Sequence, residues 1–328
     1  MKCAVVGGVQ STAVLIKALH HHGFGDVRVY GFEPPSTKLV SGWTNLKIIA
    51  ERCSFGYRNF HKVTECQEDL ENYKPDVLFV VGLSQIIPEK MLKIAKLINV
   101  GFHPTALPKG RGRAAIAWLI LNESNGAATF FEIQKGVDDG DVLVQEPYEV
   151  SSTDYAYDVE NKILNAEKLA LDNWLPKLKT NQFIKFKQDE SAASWYGKRS
   201  PEDGWIDWSQ DTSFILKSIR ANSKPHPGAY TFYNDCKIVV WKAMRHERNE
   251  TGVIGRILNV FDDQSFIVQS SDGIIMVSSW YSDSGWKPRI GMKLGFYLEL
   301  ENFRLRHELR VLAQRLEALE SALNDKGK

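Results

Sequence analysis

A histidine and a group of aspartates stand in two loop-like stretches whose residue types suit acid–base chemistry. His103 follows an apolar run and precedes the basic, Pro- and Gly-rich stretch 104–113, and the stretch 136–141 places three carboxylates between two further apolar runs. Histidine exchanges protons near neutral pH, and a carboxylate facing an imidazole orients it and stabilises its protonated form. Residue types and spacing alone leave two interpretations open: one acid–base site, or a structural histidine beside a solvated acidic turn.

Short apolar runs alternate with helical patterns in the first half of the chain and predict the scaffold that positions these loops. Runs typical of strands are Lys2–Val6, Asp26–Gly31, Asp76–Val81 and Leu97–Phe102, and helical patterns are Thr12–His21, Pro88–Leu97 and Ala156–Lys177. This alternation predicts a Rossmann-like α/β fold, with a mostly parallel sheet covered by helices on both faces. Ligands of such sheets bind beyond the carboxyl ends of the strands, so we expect His103 to face an open crevice there.

The second half of the chain changes character and predicts further domains. A polar, turn-rich stretch around 178–205 reads as a linker after a catalytic domain of residues 1–177. Short alternating runs from Val239 onward, after a helix over Thr212–Asn222, predict a small mostly-β barrel domain over 206–296.

The tail over 297–328 carries leucines at a seven-residue (heptad) period, which predicts a helix. Its apolar stripe occupies the a and d positions of a heptad, with Asn302 at an a position: Leu298, Asn302, Leu305, Leu309, Leu312, Leu316, Leu319 and Leu323. Such a stripe either packs against the chain's own barrel or pairs with a second copy as a coiled coil. The sustained spacing and the Asn favour a homodimer.

Composition narrows the classes of function. The 328 residues carry a formal net charge of +1, with 43% hydrophobic and 25% charged residues. A near-neutral chain argues against nucleic acid as partner, because phosphate binding normally requires a basic surplus. The four cysteines show neither CxxC spacing nor a nearby histidine pair, so we expect reduced thiols and no metal site. No apolar stretch suits a signal peptide or a membrane span, which predicts a cytoplasmic protein.

Two stretches together resemble the signature of the folate-dependent formyltransferase family. They are HPTALPKGRGRAAIAW, starting at His103, and GAATFFEIQKGVDDGDVLVQE, starting at Gly126. The family, which includes methionyl-tRNA formyltransferase and nucleotide-sugar N-formyltransferases, typically shows Asn-x-His-x-Ser-Leu-Leu-Pro, Arg-Gly, a Trp and Leu-Asp-x-Gly-Asp. The matching positions here are His103, Leu107, Pro108, Arg111, Gly112, Trp118 and Val137–Asp141. The second half also resembles the family's C-terminal barrel, so the resemblance covers about residues 1–296.

The resemblance implies roles for individual residues. His103 corresponds to the catalytic histidine and Asp138 to the aspartate that partners it and relays a proton. The donor would be N10-formyltetrahydrofolate, with no metal, held by residues of three stretches: Gln85, Ile86, Ile87, Arg113, Gln134, Lys135, Gly136, Val137 and Asp138. Candidates for holding the second substrate are the basic and aromatic residues Lys109, Arg111, Trp195 and Tyr196.

One position departs from the family pattern. The asparagine two residues before the histidine is replaced by Gly101, and the nearest asparagine is Asn99. In a regular strand Asn99 lies ~13 Å behind His103, too far to share an oxyanion. We expect a β-bulge at Val100–Phe102 to bring Asn99 forward as a catalytic donor, with Gln85 or a backbone N–H as the alternatives.

The resemblance leaves the acceptor amine open. The segment 33–43 holds one lysine where tRNA-binding relatives carry a basic loop, and residues 206–296 hold 11 Lys and Arg against 9 Asp and Glu. This weak charge favours a nucleotide-linked amino-deoxy sugar, of the UDP- or dTDP-4-amino-4,6-dideoxy type, over tRNA. If Gly101 abolishes catalysis, the chain would instead be a folate- or nucleotide-binding dimer.

Overall fold

The computed structural model describes residues 1–36, 42–247, 250–295 and 298–326, with side chains from 301 to 321 in the last segment. The chain divides into two compact units. The first contains residues 1–204 and 217–228, and the second contains 205–216 and 229–328. The part of segment 33–43 between 37 and 41, which bears on the comparison with tRNA-binding loops, lies outside the described residues.

A seven-stranded sheet forms the centre of the first unit. Its strands are β1 (Lys2–Gly7), β2 (Asp26–Phe32), β3 (Gly56–Phe60), β4 (Val77–Val81), β5 (Ile98–His103), β7 (Gly126–Glu132) and β8 (Val142–Tyr148). They are arranged in the order β3-β2-β1-β4-β5-β7-β8, in which β3 to β5 are parallel and β7 and β8 are antiparallel. The prediction of a mostly parallel sheet is confirmed.

Helices cover both faces of this sheet, as predicted. They are α1 (Gln10–His21), α2 (Leu46–Arg52), α3 (Gln67–Tyr73), α4 (Glu89–Leu92), α5 (Ala115–Leu121) and α6 (Ala156–Lys179). One apolar core joins α1 and α6 to the sheet through residues such as Leu15, Phe79 and Trp174, and a second joins α3 and α4 through Leu70 and Met91. Helix α6 also buries the carboxyl group of Glu167 completely.

The strand order places the candidate loops at one edge of the sheet. The order reverses between β1 and β4, and the parallel strands β1, β4 and β5 end side by side at Gly7, Val81 and His103. Ligands bind α/β sheets outside such carboxyl ends, next to the reversal. His103 therefore lies at the carboxyl end of a parallel strand, as the sequence predicted.

Two predicted segments differ from the structure. The helix expected over Pro88–Leu97 is one turn, because Leu97 and Ile98 already bond to the Asp76 carbonyl at the start of β5. The stretch 178–205, expected as a linker, belongs to the first unit up to residue 204. Phe186 bridges Val142 there, and a short strand β9 (Trp195–Tyr196) pairs with β6 (Arg111–Gly112).

The second unit contains an antiparallel sheet, which confirms the mostly-β prediction. Its strands are β10 (Ala229–Tyr233), β11 (Cys236–His246), β12 (Ile257–Val260), β13 (Phe266–Gln269) and β14 (Ile274–Tyr281). They follow the order β10-β11-β14-β13-β12. Helix α7 (Thr212–Asn222) has the predicted bounds, but residues 217–228, expected within the barrel domain over 206–296, are assigned to the first unit. Within the described ranges, no helix is both long and apolar enough to cross a bilayer.

The last helix, α8 (Leu298–Lys326), keeps its leucine stripe in solvent. Leu305, Leu309, Leu312, Leu316 and Leu319 are between 58% and 65% exposed. From 301 to 321 only Glu301 and Val311 are even partly buried. The alternative in which this stripe packs against the chain's own barrel is therefore wrong for these residues.

Candidate active site

His103 ends β5, and both of its ring nitrogens face oxygen acceptors. Nε2 lies 2.8 Å from the carbonyl oxygen of Gly110, and Nδ1 lies 3.6 Å from Oδ2 of Asp138. A carbonyl oxygen only accepts, so Nε2 carries a proton, and Nδ1 is the ring nitrogen that faces the Asp138 carboxylate. The structure thus brings together the histidine and the aspartate that the sequence paired. The side of the ring at Nδ1 is suited to proton transfer.

The imidazole is more enclosed than the predicted open crevice. His103 is only 6% exposed, because the following loop folds back and places the Gly110 carbonyl against Nε2. Neighbouring side chains anchor this loop through its backbone: Thr129 donates to the Thr105 carbonyl at 2.6 Å and Tyr148 to the Pro104 carbonyl at 2.6 Å. The loop is held in place on its inner side, which fixes the orientation of the histidine.

Asp138 is held by its backbone as well as by its side chain. Its φ of +53° lies in the left-handed region, which Asp tolerates better than most residues. Oδ2 accepts the N–H of Gly112 at 2.8 Å, and the side-chain amide of Gln188 donates to the carbonyls of Asp138 at 2.8 Å and Gly140 at 2.6 Å. Gln188 therefore anchors the backbone of the aspartate loop, although it comes from the segment predicted as a linker.

Arg111 was predicted to bind substrate, but the structure uses it inside the protein. The guanidinium is 2% exposed and donates two hydrogen bonds to Glu190, at 3.0 and 2.6 Å. It also donates twice to Gln188, at 3.2 and 2.9 Å. The hydrogen bond to Glu190 contributes most to raising the pKa of Arg111 above its ordinary value. This cation is paired and enclosed, with its hydrogen bonds directed to Gln188 and Glu190.

Of the other predicted substrate residues, two are exposed and one is partly buried. Lys109 is exposed, and Trp195 is 63% exposed with the Arg111 guanidinium 5.6 Å from its ring centre. Tyr196 instead stacks on Trp118, with ring centres 6.0 Å apart and planes 22° apart. Lys109 and Trp195 are available to a ligand, whereas Tyr196 supports the loop.

The predicted folate residues show a similar division. Gln85 accepts the N–H of Val63 at 2.8 Å and donates to the His61 carbonyl at 2.9 Å, so its amide holds two loops together. Ile87 packs on an apolar core, while the side chain of Ile86 is 92% exposed. Asp138 is partly buried. The remaining candidates are all exposed: Arg113, Gln134, Lys135, Gly136 and Val137.

The predicted bulge beside Gly101 is absent. The pairing of β5 with β4 and with β7 runs without a register shift from Ile98 to His103. The Asn99 amide donates to the carbonyl of Leu92 at 2.8 Å, away from the histidine. The prediction that a bulge brings Asn99 to the imidazole is therefore wrong.

An aromatic ring fills the space that the family's asparagine would occupy. Gly101 pairs with Phe131 across the sheet, and a Cβ added to Gly101 would lie 2.7 Å from Cζ of the Phe131 ring. Phe131 is buried. Neighbouring aromatic rings often cover a strand glycine in this way. The sequence gives no signal for this contact, because the two residues are 30 positions apart.

Two family models match the chain. The model described as formyl transferase matches residues 33–175, and the model described as formyl transferase, C-terminal domain, matches residues 198–285. Together the two matches cover more than half of the chain.

The chain is also similar to proteins of known name. It is 33% identical over 175 residues to the bifunctional polymyxin resistance protein ArnA of Wigglesworthia glossinidia brevipalpis, a match covering 53% of this chain and 27% of that protein. HypX from Aquifex aeolicus, solved with tetrahydrofolic acid, matches with a TM-score of 0.62 at 18% identity, over 85% of this chain and 44% of HypX. The N-formyltransferase from Helicobacter canadensis, solved with folinic acid and dTDP-3-aminofucose, matches with a TM-score of 0.62 at 17% identity, over 86% of this chain and 100% of that chain.

These matches differ in what they establish. The chain spans about a quarter of the length of ArnA and less than half of HypX. The likenesses to solved structures, at 17% and 18% identity, establish a shared fold. The family models bear on family membership.

Proposed function

Because the chain belongs to the formyl transferase family, we propose that it transfers a formyl group from N10-formyltetrahydrofolate to the primary amine of a nucleotide-linked amino-deoxy sugar in the cytoplasm. The observation that carries the proposal is the contact between Nδ1 of His103 and the Asp138 carboxylate at the carboxyl edge of the sheet. Family membership supplies the reaction class, and this pair supplies the acid–base chemistry that formyl transfer requires.

The proposed reaction moves one proton and one formyl group. The neutral amine attacks the formyl carbon, and the resulting tetrahedral intermediate collapses as the C–N10 bond breaks. The amine nitrogen loses a proton and N10 gains one, so the products are a formamide and tetrahydrofolate. His103, protonated at Nδ1, would stabilise the oxyanion, while Asp138 stabilises that imidazolium and accepts protons from it.

The loops around the pair fit a folate. A pterin needs an apolar slot with backbone hydrogen-bonding groups along its edge. Ile86 and Val137 are 92% and 63% exposed, and they lie in the loops that carry the predicted folate residues. Large apolar side chains left in solvent on ligand-binding loops are expected where a flat ring binds. HypX and the Helicobacter canadensis enzyme, which share the fold, were solved with folates.

The oxyanion would be stabilised without a side-chain amide. Asn99 bonds to Leu92, Gln85 bonds to His61 and Val63, and Phe131 covers Gly101. We therefore propose that the His103 imidazolium, assisted by backbone N–H groups or water, is the oxyanion donor. Loss of one such donor typically costs ~10²–10³ in rate, so we expect slow turnover.

A nucleotide-linked sugar suits the available charges better than tRNA does. Lys109 offers one exposed cation for a pyrophosphate and Trp195 offers an exposed ring for a base. Arg111, the other basic candidate, is enclosed. The fold is shared with the Helicobacter canadensis enzyme solved with dTDP-3-aminofucose.

A second candidate function follows from the ring over Gly101. If His103 alone cannot stabilise the oxyanion, the chain would bind folate or nucleotide without turning it over. The Phe131 contact favours this candidate, because it excludes the family's amide from the site.

Transfer of an isotope-labelled formyl group tests the proposal. We expect label from N10-formyltetrahydrofolate to appear in one of a panel of UDP- and dTDP-linked amino sugars and not in methionyl-tRNA. His103→Ala and Asp138→Ala should each lower the rate at least ~10²-fold, while the matched control His21→Ala, on an exposed helix end, should not. Near-normal turnover in either site variant would refute the assignment, and binding without transfer in the unaltered protein would favour the second candidate.

A further inference from the structure

The exposed face of α8 presents one continuous apolar stripe, which we call the α8 seam: Leu305, Leu309, Leu312, Leu316 and Leu319. All five leucines are at least 58% exposed. Their spacings of four and three residues keep them on one side of the helix. Most of the stability of a helix in a protein comes from packing its apolar face. The described residues of the chain leave the α8 seam uncovered.

The heptad positions indicate what covers the seam. With Asn302, Leu309 and Leu316 at a, and Leu305, Leu312 and Leu319 at d, the pattern is that of a coiled coil. A single asparagine at an a position favours a two-stranded coiled coil, because the asparagines of the two helices hydrogen-bond to each other across the interface.

The charges beside the seam select the direction of the two strands. In a parallel pair, a g residue faces the e residue five positions later on the other copy. Glu301 then faces Arg306 of the second copy, and Arg315 faces Glu320 of the second copy. Both charged pairs are attractive. The third pair, Glu308 with Ala313, is neutral.

An antiparallel pair fits the same residues less well. If the two helices run in opposite directions about the middle of the seam, Asn302 lies opposite Leu319. The asparagine amide would then be buried without a hydrogen-bond partner, which is costly. In the parallel arrangement Asn302 meets Asn302.

We propose that α8 pairs with α8 of a second copy of this chain as a parallel, in-register, two-stranded coiled coil. The proposal is independent of formyl transfer, because no residue of the site is involved.

The mass of the full-length protein in solution tests the pairing. Light scattering should give twice 37.2 kDa for the unaltered chain and 37.2 kDa for Leu309→Glu/Leu316→Glu, which places charges in the seam. The matched control His307→Glu/Gln314→Glu adds the same charges at f positions on the outer face and should remain a dimer. A monomeric unaltered chain, a larger oligomer or a dimer that survives the seam variant would overturn the proposal.

Disulfide crosslinking tests the direction. Leu319→Cys should crosslink two copies in a parallel pair, whereas in the antiparallel pair the two residues would lie ~26 Å apart along the axis, beyond the reach of a disulfide. Arg310→Cys, at a b position, is the control that should not crosslink. Burial raises the pKa of Cys3 and Cys66 to about 12, so these thiols stay unreactive, and Cys236→Ser removes the one cysteine that is not buried. A dimer by mass that Leu319→Cys fails to crosslink would overturn the parallel arrangement.

Discussion

Replacing Gly101 with alanine should destabilise the first unit, because the Phe131 ring occupies the space of the new methyl group. The added Cβ would lie 2.7 Å from Cζ and 2.9 Å from Cε1 of Phe131, and 3.1 Å from Cγ1 of Ile133. Carbon atoms pack best at about 3.5–4.0 Å. Phe131 is 5% exposed, so the ring has little room to withdraw.

Two effects set the size of the loss. Overpacking a buried site typically costs about 1–3 kcal/mol. Alanine is intrinsically better than glycine inside a strand by about 0.5–1 kcal/mol, because the unfolded chain loses less entropy on folding. We therefore expect Gly101→Ala to lower the free energy of unfolding by about 0–2.5 kcal/mol, whereas an alanine without the clash should raise it. Gly25→Ala is the matched control, because an added Cβ there meets nothing within 4 Å.

Urea unfolding of the full chain, followed through the transition of the first unit, measures the loss. The double variant Gly101→Ala/Phe131→Leu should be more stable than the sum of the two single changes predicts, by at least about 0.5 kcal/mol, because the smaller side chain makes room for the methyl. Strictly additive changes, or a Gly101→Ala protein as stable as the Gly25→Ala control, would refute the account of the missing asparagine.

Two further predictions concern buried charged groups. Burial raises the pKa of Glu167 well above its ordinary value. The protonated side chain therefore makes its full contribution to stability below about pH 4.3, the ordinary pKa of a glutamate. As the pH rises above that value, the free energy of unfolding falls by up to about 1.4 kcal/mol per pH unit until the folded-state pKa is passed. Glu167→Gln should remove that pH dependence in denaturant titrations between pH 5 and 8, and an unchanged slope would contradict it. Arg111→Met should lower stability by about 1–3 kcal/mol through its lost bonds to Gln188, yet raise KM for the nucleotide sugar less than Lys109→Ala does. A larger KM effect at Arg111 in steady-state kinetics would return it to the substrate site.

Local patterns predicted the elements that long apolar or amphipathic runs define. The helix over Thr212–Asn222 has the predicted bounds, and α6 extends only two residues beyond the predicted Lys177. The helix predicted over Pro88–Leu97 is too long. Its residues suit a helix, but Leu97 and Ile98 bond to the Asp76 carbonyl, where β5 begins. Propensity is overridden where a strand partner is close.

The site shows the same limit. A histidine at a strand end and an aspartate in a Gly-rich turn were recognisable from residue type and spacing, and the structure places them 3.6 Å apart. Gln188 was not recognisable, because a glutamine in a polar stretch gives no sign that it will be buried under two loops. Arg111 looked like a free cation for the same reason. Its partner Glu190 lies 79 positions away.

The ties between the histidine loop and the segment after α6 order events during synthesis of the chain. Gly110 bonds to the Ser194 hydroxyl 84 residues later, and Arg111 to Gln188 77 residues later. At about 5–20 residues per second a ribosome needs roughly 4–17 s to add 84 residues. A nascent chain that has just completed β5 already contains the histidine but not the side chains that fix its loop. Ligand binding that depends on the finished loop can therefore begin only after Ser194 has been added, later than the synthesis of the strands of the sheet.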